Sequence, residues 1–570
     1  VRADGRIEGG RGGDVSISAG HFETGRVGTL VLGGEIRGHG VAGGGTLTLN
    51  TGIGMAIGGS DLADGGVLPA GQSAAIHLTL AEPVTLAAGT VLDTDFSYTS
   101  DVIPAGGAFQ GVPNVSREKP LVLAADWTVP LTAQPWIRIV VQTADYNLYQ
   151  AGQTIPAGAV IVGISGDGKI PEGYIVPRDA FPNGFPVATY TGVIKAGTPL
   201  PNDVHLAAGE RLQAGTSLGF DVAVEPLVVL DPSLLRSGFS SYRLGGKQGL
   251  QLAQGASVDV VMPVLRVDAD AARLTPTGAD AGGVLQAWLP DLWQEDPAQA
   301  VLTQRAGASI TLTGGDLDNR APLVMGKGSS LRVDPGQSIT LQGSSQITLD
   351  GELMARGGRI SVLGEGLGGH SERNAASGVP DARSLWLGEQ ARLDASGIAA
   401  TARGANGQIY GVVLDGGVIE LGAPHDLDTT KADAIDAFLV LRPGSVLDAS
   451  GTSALLDVPG QGARVVASDG GTLSLSSARG IYLDGQLLAR AGGEGAAGGT
   501  LAMQLETPSY GPVAATTLKG LNVDDAVRLP REIVVSQNQR ESGLSPALQV
   551  GWRDGSLVYG QAHLGVDTVQ

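Results

Sequence analysis

The residues of this chain best placed for chemistry are carboxylates, and the most regular of them recur in pairs. Asp350 stands in Leu349-Asp350-Gly351 and Asp484 in Leu483-Asp484-Gly485. Asp394 stands in Leu393-Asp394-Ala395-Ser396-Gly397 and Asp448 in Leu447-Asp448-Ala449-Ser450-Gly451. Two carboxylates on neighbouring elements can divide acid and base work across a glycosidic bond. An Asp that recurs before Gly or Ser is first a turn residue, because its side chain bonds the backbone two positions on. The turn role is the expectation for all four.

Other constellations carry less. Gly9-Gly10-Arg11-Gly12-Gly13-Asp14 has the look of a calcium nonapeptide, but it occurs once and Ser16 fills the apolar position. A glycine-rich corner before a strand at Val15-Ser16-Ile17 is expected instead. Asp316-Leu317-Asp318-Asn319 offers hard oxygen ligands without the rest of an EF-hand loop, and reads as a solvated turn. The seven histidines, His21, His39, His77, His205, His370, His425 and His563, fall at no ligand spacing. No HExxH, GxSxG or phosphate-binding loop occurs. Cys is absent, which removes thiol chemistry and cysteine zinc sites. The reading is of no catalytic residue, no metal and no cofactor.

Aromatic rings are the remaining functional currency. Eleven of the 24 lie between Phe96 and Tyr190. They either fill the core of a globular excursion or cover a sugar or protein partner. Trp127, Trp136, Tyr146 and Tyr149 are the contact candidates, since Asp145, Asn147 and Gln150 make the surroundings of the two tyrosines polar.

The elements that carry these residues are short strands. Gly-Gly, one residue, then apolar–polar–apolar recurs as Gly44-Gly45-Thr46-Leu47-Thr48-Leu49, Gly357-Gly358-Arg359-Ile360-Ser361-Val362, Gly416-Gly417-Val418-Ile419-Glu420-Leu421, Gly470-Gly471-Thr472-Leu473-Ser474-Leu475 and Gly498-Gly499-Thr500-Leu501-Ala502-Met503. Period-two alternation marks a strand with one buried face. Ile310 to Leu331, Ile339 to Ile360 and Ile419 to Val440 are each 21 residues apart. A repeat near that length with several strands per unit fits one coil of a β-solenoid better than a sandwich. At this period residues 307–510 would form about ten coils and about 45–50 Å of shaft.

The pattern breaks between Ser60 and Asp231, where an apolar residue, any residue, then Ala-Gly recurs: Leu68-Pro69-Ala70-Gly71, Leu86-Ala87-Ala88-Gly89, Ile103-Pro104-Ala105-Gly106, Ile155-Pro156-Ala157-Gly158, Ile194-Lys195-Ala196-Gly197, Leu206-Ala207-Ala208-Gly209 and Leu212-Gln213-Ala214-Gly215. Pro presets φ for a turn and Gly supplies positive φ. The division expected is coils over 1–59, an extra-helical β-rich domain over 60–231, a return to coils with an irregular excursion over 232–306, coils over 307–510, and an irregular or coiled C-terminal segment over 511–570. Short helices are expected within Asp268 to Ala306 and Thr430 to Phe438.

The 570 residues include 89 Gly and 30 Pro without a Gly-X-Y period, so the chain is not collagen-like. Its 42% apolar and 16% charged content argues against disorder. A net charge of −20 disfavours nucleic acid and anionic lipid, and no apolar run is long enough to span a membrane as a helix. Val1 to Arg6 shows no signal-peptide pattern, which suggests an internal or mature segment of a longer precursor.

The Gly-Gly-Thr-Leu-Ser-Leu units, the Leu-Asp-Ala-Ser-Gly corners, the absence of Cys and Gly238-Phe239-Ser240-Ser241-Tyr242 resemble the filamentous-haemagglutinin-like exoproteins of the two-partner secretion family, over about residues 1–58 and 236–510. The Asn-Pro-Asn motifs of that family's secretion domain do not occur, so the resemblance is to an interior segment. It implies an all-β, right-handed parallel β-helix, a secreted or cell-surface location, and export by an outer-membrane partner acting on a region not in this chain. It implies adhesion or biofilm work on extracellular polysaccharide or a host or bacterial cell-surface protein. The alternative is a carbohydrate-active β-helix enzyme, a polysaccharide lyase or depolymerase.

Overall fold

A computed structural model describes residues 9–20, 30–60, 62, 66–92, 96–103, 109, 113–130, 138–142, 147–165, 170, 174–194, 197–200, 203–274, 276, 284–315, 321–364, 383–424, 434–506, 532–539, 542–548, 550–551, 556–558 and 560–568. The chain forms two compact units. One comprises Val1–Ala63, Ala75–Leu78 and Pro226–Gln570, the other Asp64–Ala74 and Thr79–Glu225.

The first unit is a parallel β-helix of three sheets, with nine, ten and six strands. One regular coil shows the path. Ser338–Gly343 lies in the first sheet, Ile347–Leu349 in the second and Glu352–Met354 in the third. The chain then re-enters the first sheet as Arg359–Gly364, with Ile360 directly against Ile339. The alternation read from the sequence sets which side chains stack inward. Leu47, Tyr242, Ile310, Ile339, Ile360, Ile419, Leu473 and Leu501 form one in-register column of the first sheet. Burying each aliphatic member fully contributes about 1.5–3 kcal/mol, and no coil could bury its own without the next. Ile310, Leu312, Leu331, Ile339, Leu341, Ile347, Leu349, Ile360, Leu473 and Leu475 are all buried, as their pattern requires. Leu501 and Met503, on the last strand of the first sheet, are half-buried against the same core.

The coil length differs from the sequence expectation. The successive partners Ile310, Ile339, Ile360, Ile419, Leu473 and Leu501 lie 29, 21, 59, 54 and 28 residues apart. Only Ile339 to Ile360 is a full coil of 21. Ile310 and Leu331 sit on the first and third sheets of one coil, and Ile419 and Val440 on the first and second. Residues 307–510 therefore contribute six first-sheet strands, which at about 4.8 Å per step rise only about 24 Å. The missing length went into insertions. The corner between second and third sheets stays at two to four residues throughout, as at 253–256 and 350–351. The path from third sheet back to first carries antiparallel hairpins instead: Val264–Val267 with Leu285–Trp288, Trp293–Asp296 with Val301–Gln304, Ala399–Arg403 with Ile409–Val413, and Ser453–Val458 with Gly462–Ala467.

A short helix, Ala269–Leu274, lies in the irregular stretch where one was expected. The second helix expectation fails at its end: Phe438 opens the strand Phe438–Leu441, and residues 430–433 fall outside the described residues. In the C-terminal segment, Gln561–Gly565 continues the second sheet over Gly480–Leu483, and Glu532–Ser536 pairs beyond it. Leu544, Leu548 and Leu557 cover that sheet's outer face at Trp386, Val440 and Tyr482.

The second unit is a folded-back antiparallel ladder with a head. Val67–Leu68, Val84–Leu86 and Phe96–Ile103 run out; Phe185–Ile194, Val204–Leu206 and Val222–Ala223 return beside them. Between the legs lies a four-stranded antiparallel sheet in the order Asn147–Gln150, Arg138–Val141, Val160–Ser165, Leu121–Val122. The Ala-Gly turns behave as their residues demand. Gly71, Gly89, Gly158, Gly197, Gly209 and Gly215 all have φ between 74 and 86°. The amides of Ala70, Ala88 and Ala157 are each accepted by an Asp just before a partner strand, Asp221, Asp203 and Asp126. Gly106 lies outside the described residues.

Strand Val228–Leu230 lies inside the span that the broken pattern marks as excursion, yet it belongs to the shaft. It pairs in parallel with Met55–Ile57 at the end of the second sheet. The first sheet also resumes in register, with Tyr242 on Leu47.

Candidate functional surfaces

Within the second unit, Trp127 is a core residue. It is 2% exposed, packs edge-on against Phe181 and Phe185 at centroid distances of 5.0 and 6.3 Å, and donates its indole N–H to the Tyr174 hydroxyl at 3.0 Å. Phe109 completes this cluster against Phe185 at 5.4 Å. Such a ring has no face left for a partner, so the contact role expected for Trp127 is replaced by packing. Tyr149 is half-buried on the edge strand Asn147–Gln150, opposite Ile139, beside a Leu148 that is 54% exposed. Trp136 and Tyr146 lie outside the described residues.

The shaft's three outer faces differ in chemistry. The first sheet presents a register row of Thr48, Arg243, Thr311, Thr340, Ser361, Glu420 and Ser474. Glu420 is almost fully buried there; it accepts from the Ser361 hydroxyl at 2.6 Å and pairs with the Arg359 guanidinium. The second sheet's outer row is apolar and covered at Trp386, Val440 and Tyr482, and the Tyr482 hydroxyl donates to the Val558 carbonyl at 2.9 Å. Burial holds the Tyr482 phenol well above the usual tyrosine range. The third sheet alternates signs: Arg392 reaches Glu352, Asp394 and Asp448 at 3.9, 3.5 and 3.4 Å.

Two of the four paired carboxylates, Asp394 and Asp448, serve local turns as expected. Asp394 and Asp448 are in register on adjacent coils, the juxtaposition that could divide acid and base work. Asp394 accepts from the Ser396 amide at 3.0 Å and its hydroxyl at 2.5 Å, and Asp448 accepts from the Ser450 amide at 3.0 Å. Asp350 and Asp484 tie distant segments, accepting the amides of Gln390 and Ser542. Asp415 and Asp469 do the same between coils, accepting the amides of Asp469 and Ala497, and Asp14 accepts that of Thr46. Asp14 thus closes a glycine-rich corner before strand Val15–Ala19. Residues 316–319 fall outside the described residues. Among the described residues no group of three His, Asp or Glu is gathered to hold a metal.

The described residues also form two cavities that are not legible in the linear sequence. One, of about 220 Å³, holds His563, whose Nε2 lies 2.9 Å from the Ser536 hydroxyl. That hydroxyl donates to the Asn538 carbonyl at 2.7 Å, so the imidazole must donate to it and is in the wrong tautomer to activate it as a nucleophile. The other, of about 960 Å³, lies between Leu32, Ile36, Val229 and Leu234, with Glu35, Arg37 and Asp231 on its lining. Its volume is in the range of ligand-binding clefts. Comparison with protein-family models, with curated proteins and with solved structures gives no match for this chain.

Proposed function

We propose that this chain is an interior segment of a secreted bacterial surface protein of the filamentous-haemagglutinin-like, two-partner secretion type. In this reading the β-helical shaft presents the second unit to extracellular polysaccharide or to a protein on a cell surface. The observation that carries it is the way the unit is inserted. The chain leaves after Met55–Ile57 and rejoins at Val228–Leu230, its neighbour in the same sheet, while the first sheet runs on in register. Among the described residues the shaft ladder gains no strand from the interior of the excursion, which has its own aromatic core. Recognition tends to sit on segments displayed by a rigid scaffold. The net charge of −20 favours neutral or cationic partners over anionic ones.

The test is a deletion that joins Gly59 to Pro226, so that Val228–Leu230 keeps its place on the shaft. Adhesion of cells secreting the truncated protein should fall to background while secretion and the β-rich circular dichroism spectrum persist. A truncated protein that is secreted, folded and as adhesive as the parent would place recognition elsewhere. A second reading, the carbohydrate-active enzyme, draws on Asp394 and Asp448 alone. It requires polysaccharide cleavage that is lost in a folded Asp394→Asn variant.

A further inference from the structure

The four-stranded sheet of the second unit is apolar on both faces, and only one of them is buried. Residues paired across antiparallel strands lie on the same face, so the register assigns each side chain to a side. Ile139, Val141 and Ile161 point inward and are at most 2% exposed, and Tyr149, opposite Ile139, shares their side. The other side carries Leu148 against Val140, Val140 against Gly163, and Val160 against Val122. The bulge after Val140 does not break this row, because Val160 precedes the inward Ile161 and so faces out.

The outward row crosses all four strands as Leu148, Val140, Val160 and Val122, with the bare backbone of Gly163 at its centre. Leu148 and Val122, on the two outer strands, are 54 and 57% exposed, and Val140 and Val160 between them are half-buried. An antiparallel sheet with one face in water ordinarily alternates apolar inside with polar outside. The first sheet of the shaft keeps to that rule with Thr311 and Thr340 on its outer face. Here the polar half of the pattern is missing. Arg138, two residues before Val140 on the same side, is exposed and has no carboxylate partner among the described residues.

We propose that this face docks a protein, through an apolar patch bordered by a carboxylate that meets Arg138; the proposal rests on the reading of the second unit as the presented domain. An aliphatic centre with Arg beside it has the composition of a protein interface. A polysaccharide fits less well. Aromatic faces cover sugar rings, and this row has none: Tyr149 is on the opposite side and Trp127 is packed in the core. A second copy also fits less well, since a two-fold pairing would add another Arg138 and, among the described residues of the face, no carboxylate.

Gly163 allows the face to be blocked without disturbing the core. A Cβ there meets only Val140, at an ordinary 3.6 Å, and its φ is not positive. The experiment measures binding of the purified whole chain to intact cells to which it adheres, treated beforehand with proteinase K or with periodate, which oxidises the vicinal diols of sugars. Proteinase K should abolish binding and periodate should leave it unchanged. Gly163→Gln and Leu148→Ser should each bind roughly tenfold or more weakly, with the circular dichroism spectrum of the parent. Full binding by Gly163→Gln overturns the proposal. So does binding that survives proteinase K and is lost to periodate, which makes the partner a polysaccharide, or a dimer of the parent that Gly163→Gln dissociates, which makes it a second copy. The deletion joining Gly59 to Pro226 separates the two levels. If it binds as well as the parent, presentation by the second unit fails; if it does not bind while Gly163→Gln binds fully, only the face fails.

Discussion

The Gly-Gly corners of the shaft and the Ala-Gly turns of the excursion use glycine for opposite reasons. In the shaft the Gly-Gly corners are places of contact. A Cβ on Gly471 would stand 1.9 Å from the Gly417 carbonyl oxygen, one on Gly417 2.1 Å from that of Gly358, and one on Gly499 2.2 Å from that of Gly471. None of these glycines has positive φ. Coil lies on coil there, backbone against backbone, and any side chain would force the stack apart. In the excursion the Ala-Gly turns have room: a Cβ on Gly71, Gly89, Gly158, Gly197 or Gly209 meets nothing within 4 Å. What these positions need is the left-handed backbone. Glycine at the Gly-Gly corners permits close approach, and at the Ala-Gly turns permits a conformation. The first effect is transmitted along the stack and the second stays within a turn.

The largest break in that contrast should come from the core that makes the shaft one cooperative column. Leu473 is 1% exposed and stands in register between Ile419 and Leu501. Leu473→Asp places an unpaired carboxylate among stacked aliphatics, at a cost of about 4 kcal/mol or more. Repeat architectures couple chiefly to nearest neighbours. Amide exchange should therefore rise most in the coils of Val418–Gly422 and Thr500–Leu505 and fade toward Ser309–Gly314, with the second unit's own amides unaltered. Equal loss of protection in both units would mean that they do not unfold separately.

Gly471→Ala should come next. The Gly417 carbonyl it meets is backbone and already accepts the Thr472 amide at 2.9 Å, so the corner must open. Overpacking of this kind costs about 1–3 kcal/mol. Chemical denaturation of the variant should show a lower midpoint for the shaft transition.

How much of this was legible in the sequence depended on distance along the chain. Alternation in Gly470-Gly471-Thr472-Leu473-Ser474-Leu475 marks the strand and its inward face, because these follow from a local period of two. The coil length was not legible. A spacing of 21 between Ile310 and Leu331 looks the same whether it separates two coils or two sheets of one coil, and hairpins such as Ser453–Val458 with Gly462–Ala467 lengthen the coil without disturbing the motif. The return strand Val228–Leu230 was hidden for a related reason: three residues carry no period, and their partner lies about 170 residues earlier. Among the contact candidates, Trp127 follows Asp126, whose carboxylate binds the Ala157 amide. The same Asp-before-strand signal at Asp203 and Asp221 marks a paired, structural position, and it could have moved Trp127 from surface to core.

The smallest effects should lie in the excursion, and they separate the two uses of glycine most cleanly. Gly209 has φ of 86°, with its amide donated to the Leu80 carbonyl at 2.8 Å and open space where a side chain would go. Gly209→Ala meets no neighbour but must hold an L-residue in the left-handed region, which costs about 1–2 kcal/mol. Gly209→Asn should recover most of that, because Asn visits this region readily and its larger side chain has somewhere to go. In the shaft the order must reverse: Gly471→Asn should be worse than Gly471→Ala, since the obstacle is the Gly417 carbonyl and grows with side-chain size. The four midpoints, read from denaturation of the two units, test the distinction directly. If Asn were worse than Ala at both positions, space would be limiting in the turn as well. If Asn were better at both, backbone conformation would govern the corner, and the close approach of coil to coil would not be what selects glycine there.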